Sequence, residues 1–159
     1  MRTAMRDSVD EVGRAAAADG IDCHYAKGGT ITMVTNPAHL ERVRAATADP
    51  ESDETWLTAS DAIASVNAAG LLGASYTPHC AVLHPARLAF GLANAVEQRG
   101  VRIFETTRVE RIAPGFVACA NGSTVRADAV LRCTEGFTSA LRGHRRDLVP
   151  IYSLMIATE

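Results

Sequence analysis

The sequence has no uninterrupted apolar run of about 18 residues, the length that a membrane-spanning helix requires. It has no basic excess either. The formal net charge of its 159 residues is -2, whereas nucleic-acid-binding proteins usually concentrate positive charge on one face. The N-terminal stretch "MRTAMRDSVDEVGRAAAADG" has acidic residues and no apolar segment, so it does not resemble a secretory signal peptide. These absences predict a cytoplasmic protein with neither a membrane span nor a nucleic-acid partner.

Cysteine is scarce and widely spaced, and no CxxC pair occurs among Cys23, Cys80, Cys119 and Cys133. Such spacing is not typical of a disulfide framework or a zinc ribbon, and it predicts free thiols in a reducing compartment. Apolar residues make up 47% of the chain and charged residues 21%, the balance of a globular protein that buries a hydrophobic core.

The first third of the chain alternates helix and strand signals. Apolar residues at helical spacing predict a helix over residues 2–19, with Gly20 as its left-handed C-cap. The β-branched run "TITMVT" predicts a strand. Asn36 and Pro37 then have the residue types of an N-cap and a first helical position, and this second helix should end near Pro50.

The middle of the chain begins with the polar stretch "ADPESDETW", which predicts an exposed loop. A short helix over residues 60–66 and a strand in "GLLGASYTP" should follow. Pro85 begins the strongest helix signal, in which Leu88, Leu92 and Val96 line one face.

The last third of the chain contains short strand-like runs. These are "VRIFET", "TRVERI", "FVACA", "STVRA" and "AVLRC", with a tight turn predicted at "ANGS". The resulting fold class is α+β, with a central mixed or antiparallel sheet and flanking helices in a single domain over residues 1–159.

The stretch "TPHCAVLHPARLAFGL", residues 77–92, allows three interpretations. One is a zinc site, and a second is a catalytic Cys–His pair formed in space. Neighbouring strand residues point to opposite faces, however, and the usual spacing of zinc ligands is missing. The histidines and cysteines in question are Cys23, His24, His79, Cys80 and His84.

The third interpretation is a plain junction between a strand and a helix. Proline lacks an amide hydrogen and has a preset φ, so Pro85 suits the first helical turn and His84 precedes the helix. The residues favour this third interpretation.

From His84 onward, the order of features resembles a family of flavoenzymes. The segments "HPARLAFGLANAVEQRGVRIFETTRVERI" and "VACANGSTVRADAVLRCTEGFTSAL" are similar to the middle of FAD-dependent oxidoreductases such as D-amino-acid oxidase and glycine oxidase. The branch that includes gamma-glutamylputrescine oxidase is the most similar, and "HYAKGGTITM" and "PIYSLMIATE" resemble segments of it. The resemblance covers nearly the whole chain.

The resemblance implies positions for the cofactor. Main chain at Arg108 and Val109 should approach the adenine side of FAD, and the loop of Thr134, Glu135 and Gly136 should lie near the dinucleotide. Free amides at such a loop suit a phosphate. The alternatives are that Val109 is an ordinary core valine and Glu135 a solvated carboxylate.

The resemblance also suggests residues that face the substrate or flavin, namely Tyr25, Tyr152 and Met155, although plain packing is the other interpretation for each. It indicates neither a catalytic residue nor a metal ligand.

One departure from the family pattern concerns the dinucleotide fingerprint G-x-G-x-x-G, which this sequence does not contain. Only the adjacent Gly28 and Gly29 occur, outside any βαβ context. The sequence also ends within the apolar run "SLMIATE". We therefore expect an internal portion of a larger flavoenzyme, which retains no FAD and is catalytically silent by itself.

The parent enzyme should oxidise the C–N bond of an amine or amino acid by hydride transfer to FAD. This portion would contribute substrate-side sheet and one wall of the FAD site. Exposed sheet edges would make a homodimer plausible. Two other classes stay open: a self-contained small-molecule-binding module without redox activity, and an interaction domain with exposed apolar faces.

Overall fold

The computed structural model describes residues 2–156. The chain divides into two compact units, Met1–Arg102 and Ile103–Glu159, which we call the first and the second unit. The prediction of a single domain stays a prediction, because compactness does not tell whether either unit folds alone. The α+β fold class is confirmed, since helices combine with sheets in which every described strand pair is antiparallel.

The helices of the first unit begin and end where local chemistry predicts. Asn36 accepts a hydrogen bond from the backbone N–H of His39 at 2.9 Å, and Pro37 is the first helical residue. Gly20 follows the first helix with φ +66°, as a left-handed C-cap requires. The helices are α1 (Arg2–Ala18), α2 (Pro37–Thr47), α3 (Ala59–Ile63) and α4 (Pro85–Gln98).

Two small sheets accompany these helices. The larger sheet has the order β2-β4-β3, with Val34 opposite Gly73 and Thr58 opposite the same glycine. The smaller sheet pairs β1 with β5. The strands are β1 (Ala26–Lys27), β2 (Thr30–Val34), β3 (Thr55–Thr58), β4 (Gly73–Thr77) and β5 (Ala81–Val82).

The core of the first unit is built from small side chains around the central strand β4. A Cβ at Gly73 would lie 2.3 Å from the Trp56 ring, so only glycine allows this close approach of strand and indole. The largest fully buried side chains are Val34 and Cys23. The buried apolar residues of this unit are Ala16, Cys23, Val34, Val43, Ala62, Ala74 and Ala95.

The second unit is a three-stranded meander followed by a short 3₁₀ helix, Glu135–Ala140. Asn121 and Gly122 form the turn between its last two strands, and Gly122 has φ +82°, which confirms the predicted turn. The strands are β6 (Val109–Ala113), β7 (Phe116–Cys119) and β8 (Thr124–Arg126), and their order in the sheet is β6-β7-β8.

Several sequence predictions are wrong in detail. The runs "VRIFET" and "AVLRC" form no strand in the described chain, because an apolar run becomes a strand only where another strand pairs with its backbone. Strand β3 begins at Thr55, inside the segment expected to be a loop. On the predicted apolar face of α4, Leu88 and Val96 are half-buried and Leu92 is 45% exposed, while the buried residue of the helix is Ala95.

Candidate functional site

In the second unit, one side of strand β6 borders a cavity of about 980 Å³. Residues from β6 and from the 3₁₀ helix and its flanks enclose it. The lining residues are Thr107, Arg108, Val109, Glu110, Arg111, Ile112, Ala118, Thr134, Phe137, Ala140, Leu141, Arg142 and His144. The cavity therefore contains three of the predicted cofactor-site residues, Arg108, Val109 and Thr134.

Strand β6 lies at the edge of its sheet and is irregular where it borders the cavity. Val109 pairs with Cys119, and the ladder register shifts between Val109 and Arg111. In a regular strand successive side chains point to opposite faces, whereas a bulge re-aims them. The carbonyl of Arg108 accepts a hydrogen bond from the backbone N–H of Ala120 at 2.9 Å, which holds the start of the strand in place.

Thr134 begins the 3₁₀ helix on the other side of the cavity. Its carbonyl accepts a hydrogen bond from the backbone N–H of Phe137 at 2.9 Å. Its hydroxyl lies 2.8 Å from the hydroxyl of Thr138, a residue only 4% exposed. This part-buried hydroxyl pair holds Thr134 against the 3₁₀ helix that follows it.

Glu135 and Gly136 are placed differently from Thr134. Neither residue lines the cavity, and the backbone N–H of Gly136 donates to the carboxylate of Glu135. Glu135 has φ +43°, an uncommon value for a residue with a side chain. The amide expected to be free for a phosphate is thus occupied by the neighbouring carboxylate.

The charge of the cavity lining is predominantly positive. Arg108, Arg111 and Arg142 line it, with Glu110 as the carboxylate among the lining residues. The Arg111 guanidinium also lies 5.1 Å from the centre of the Phe116 ring, a cation–π contact that fixes its position. A lining with this charge selects for anions.

His144 connects the cavity to a small polar cluster. Its Nδ1 lies 2.6 Å from Oδ2 of Asp147 and 2.6 Å from Nη1 of Arg132. One nitrogen cannot donate to the carboxylate and accept from the guanidinium at once, so which of the two contacts is a hydrogen bond depends on the tautomer of the imidazole. The hydrogen bond from His144, supported by Arg132, lowers the pKa of the Asp147 carboxyl.

A second, apolar cavity of about 360 Å³ lies in the same unit. Val109, Ile112, Thr134 and Leu141 line both cavities, which therefore adjoin one another. The other lining residues of the smaller cavity are Val117, Val125, Ala127, Ala129, Val130, Leu131 and Arg132. An apolar compartment beside a basic one suits a ligand with a ring at one end and an anionic group at the other.

The three residues suggested for the substrate side do not lie at these cavities. The Tyr25 hydroxyl donates to the carbonyl of Val9 at 2.7 Å, and a Cβ at Gly13 would lie 2.4 Å from its ring. Tyr25 therefore packs on α1. Tyr152 is 91% exposed and Met155 is 88% exposed, both in a segment without regular secondary structure.

Sequence reasoning missed Leu141, Arg142 and His144 as site residues. A signal for Arg142 and His144 is visible in "LRGHRRD", a short basic cluster that follows the loop of Thr134, Glu135 and Gly136. Only the tertiary contacts show which members of that cluster line the cavity.

The junction at residues 77–92 is confirmed as a helix entry. His84 is the N-cap of α4, and its Nδ1 accepts from the backbone N–H of Arg87 at 3.4 Å. The His24 and His84 rings meet edge to face with their centres 6.2 Å apart. Within residues 2–156, no three His, Cys, Asp or Glu side chains are grouped so that they could hold a metal ion.

None of the helices between residues 2 and 156 has both the length and the apolar character needed to cross a bilayer. The described cysteines are free thiols, with Cys23 and Cys119 buried and Cys133 exposed.

The sequence matches the family of FAD-dependent oxidoreductases called DAO over residues 1–159. The chain belongs to this family, which confirms the resemblance found in the sequence. No curated protein sequence matches the chain significantly.

Solved structures of three flavoenzymes have a similar fold. Glycine oxidase from Bacillus cereus ATCC 14579 is 22% identical with a TM-score of 0.64, and the match covers 78% of this chain and 38% of that one. Glycine oxidase from Geobacillus kaustophilus is 23% identical with a TM-score of 0.58, and the match covers 80% of this chain and 36% of that one. L-proline dehydrogenase from P. horikoshii is 14% identical with a TM-score of 0.67, and the match covers 88% of this chain and 40% of that one. The chain thus spans well under half the length of these structures.

Proposed function

We propose that this chain forms one wall of the FAD site, together with substrate-side sheet, in an oxidoreductase that oxidises the C–N bond of an amine or amino acid. The observation that carries the proposal is the cavity in the second unit, where Arg108, Val109 and Thr134 meet. Arg108 and Val109 are neighbours at the start of β6, Thr134 precedes the 3₁₀ helix, and the family resemblance implies all three as cofactor residues.

The residues of the cavity fit the chemical parts of FAD. Arg108 and Arg142 can bind the diphosphate, because a planar guanidinium matches phosphate oxygens with two parallel hydrogen bonds. The adjoining apolar cavity, with Val117 and Val125 in its lining, suits the face of the adenine ring. Glu135 does not fit a position against the diphosphate, since its carboxylate would repel the phosphates.

Bound FAD would supply the chemistry, which is the acceptance of a hydride from the carbon next to nitrogen to leave an imine that water hydrolyses. The residues of this chain would bind and orient the cofactor. Arg108 and Arg142 would bind the negatively charged diphosphate, while the contact with Thr138 holds the Thr134 hydroxyl in place in the cavity wall. We assign no catalytic acid or base among the described residues.

The remaining parts of the proposal concern partners and location. A small-molecule amine or amino acid is the substrate, the compartment is cytoplasmic, and a homodimer through exposed sheet edges is allowed. The larger enzyme would carry the activity, with this portion silent by itself.

The first test is flavin retention. The purified chain is incubated with excess FAD and desalted, and the flavin absorption is recorded. We expect no retained flavin, because this sequence has no G-x-G-x-x-G whose amides would hold the diphosphate. Stoichiometric retained flavin would contradict the assignment of this chain as one wall of a larger site.

The second test measures ADP binding at equilibrium, since ADP is the half of FAD that the two cavities fit. We expect weak binding, with a Kd on the order of 1 mM, and about five-fold weaker binding in Arg108→Ala. Arg126→Ala is the matched control, because Arg126 is exposed on β8 and lines neither cavity. Equal losses in both variants, or no binding of ADP by the folded chain, would refute the assignment.

A further inference from the structure

The first unit has a cavity of its own, of about 720 Å³, next to the sheet β2-β4-β3. It is within the size range of small-molecule sites. Neither the family match nor the resemblance assigns it a role. Its lining residues are Gly28, Gly29, Thr30, Ile31, Leu57, Asp61, Ser65, Val66 and Tyr76.

The rim of this cavity is held by a close contact between a glycine loop and β4. The Tyr76 hydroxyl donates to the carbonyl of Gly28 at 3.2 Å. Gly29 has φ +83°, and a Cβ there would lie 2.4 Å from the carbonyl oxygen of Thr77. The loop can follow this path only because Gly29 has no side chain.

Asp61 is the charged side chain of the lining, and no basic residue accompanies it. Asp61 is an exposed residue of α3 and lies one turn before Ser65, which follows the helix. Its Oδ2 accepts hydrogen bonds from the Thr58 hydroxyl at 2.6 Å and from the Thr58 backbone N–H at 3.3 Å. Among the described residues, Asp61 has no salt-bridge partner and its Oδ1 accepts no hydrogen bond.

The opposite part of the lining is apolar, with Ile31, Leu57 and Val66. All three side chains are half-buried. They offer a surface against which an alkyl chain can leave water. The cavity thus combines one carboxylate, two hydroxyl groups from Ser65 and Tyr76, and an aliphatic wall.

We propose that this cavity binds a protonated alkylamine, with Asp61 as its counter-ion and the aliphatic wall in contact with its carbon chain. A free α-amino acid is disfavoured here, because the lining has no cation to meet its carboxylate and Asp61 would repel it. The inference narrows the proposed function, on which it rests, from amines and amino acids to amines without an α-carboxylate.

Three matched ligands test the inference without flavin: n-butylammonium, norvaline, which is the same chain with an α-carboxylate, and 1-butanol, which has no charge. Binding is followed by NMR titration of the chain. We expect n-butylammonium to bind about three- to five-fold more tightly than the other two, the range for a partly solvated charge pair. The shifted signals should be those of α3 and Tyr76.

Variants separate the carboxylate from the fold. Asp61→Asn should weaken n-butylammonium binding about three- to five-fold. Asp7→Asn changes the net charge equally at an exposed position of α1 and should have no effect. Because Asp61 belongs to the capping box of α3, Ser65→Lys serves as a second variant. It leaves the Thr58–Asp61 contacts in place and puts an ammonium group at the cavity, which should weaken n-butylammonium binding as well.

Equal binding by wild-type and Asp61→Asn chains would overturn the inference. So would norvaline binding as tightly as n-butylammonium, or no binding of n-butylammonium by the folded chain. The ADP and flavin measurements do not involve this cavity, so a failure here is distinguishable from a failure of the proposed function.

Discussion

The two units of this chain differ in the charge of their cavities. In the first unit a single carboxylate, Asp61, lines the cavity beside the sheet β2-β4-β3, whereas Arg108, Arg111 and Arg142 line the larger cavity of the second. The whole chain carries a formal charge of only -2. A near-neutral total therefore conceals local fields of opposite sign, and the ligand chemistry of each cavity follows from its own lining.

The two units also differ in how many apolar residues they bury. The first contains Val34 and Cys23, both fully buried, and five other buried apolar residues, whereas Cys119 is the buried apolar residue described in the second. Since burial of apolar surface is the main stabilising term, we expect the first unit to be the more resistant to unfolding. The predictions below test both contrasts.

The largest expected effect concerns the glycine loop at the rim of the cavity in the first unit. Gly29→Ala should destabilise the protein by about 3 kcal/mol, because φ is positive and the new methyl group meets the backbone of Thr77. Gly28→Ala is the matched control, since a Cβ there contacts nothing within 4 Å. Chemical denaturation gives the free energy of unfolding of both variants. Equal values would show that the rim tolerates a side chain at Gly29 and would contradict the prediction.

Removing buried volume should affect the two units unequally. Val34→Ala should lower the free energy of unfolding by about 2 kcal/mol and Cys119→Ala by about 1 kcal/mol. Val34 is completely buried and Cys119 is 7% exposed. Hydrogen exchange adds an independent comparison, with slower exchange expected in β2 and β4 than in β6 and β7. The reverse order would refute the contrast in burial.

Reversing one charge should separate the two cavities functionally. Arg142→Glu should weaken ADP binding about ten-fold and leave n-butylammonium binding unchanged. Raising the salt concentration should weaken ADP binding further, because exposed charges are screened. If Arg142→Glu changed both affinities by the same factor, the difference in charge between the cavities would have no bearing on ligand choice.

The smallest effect concerns the pKa of Asp147. Its carboxyl should titrate below the ordinary value of 3.8, because His144 and Arg132 stabilise the charged form. A carboxyl with a lowered pKa stabilises the folded state above its ordinary pKa, and this contribution is lost as pH falls through the lowered value. NMR titration of Asp147 checks this, and His144→Gln should raise its pKa towards 3.8. An unchanged pKa in that variant would mean that His144 is not the cause.

Much of the fold could be predicted because its signals are local. The N-caps Asn36 and His84, the prolines that follow them, Gly20 and the Asn121–Gly122 turn all act within one turn of chain. The runs "VRIFET" and "AVLRC" had the composition of strands but not the pairing, which no local signal specifies.

The candidate site was predictable only in part. Arg108, Val109 and Thr134 followed from the family resemblance, whereas Arg142 and His144 reach the same cavity through the path of the chain after the 3₁₀ helix. The bulge in β6 leaves no mark in the sequence that distinguishes it from a regular strand.

The sequence by itself determined the family, the α+β class and the places where helices begin, because capping and periodicity depend on residues a few positions apart. Only the tertiary structure decided which charges share a cavity and which apolar runs become strands. Asp61 and the arginines are ordinary surface residue types, and their effect on a ligand depends on distances set by segments remote in sequence.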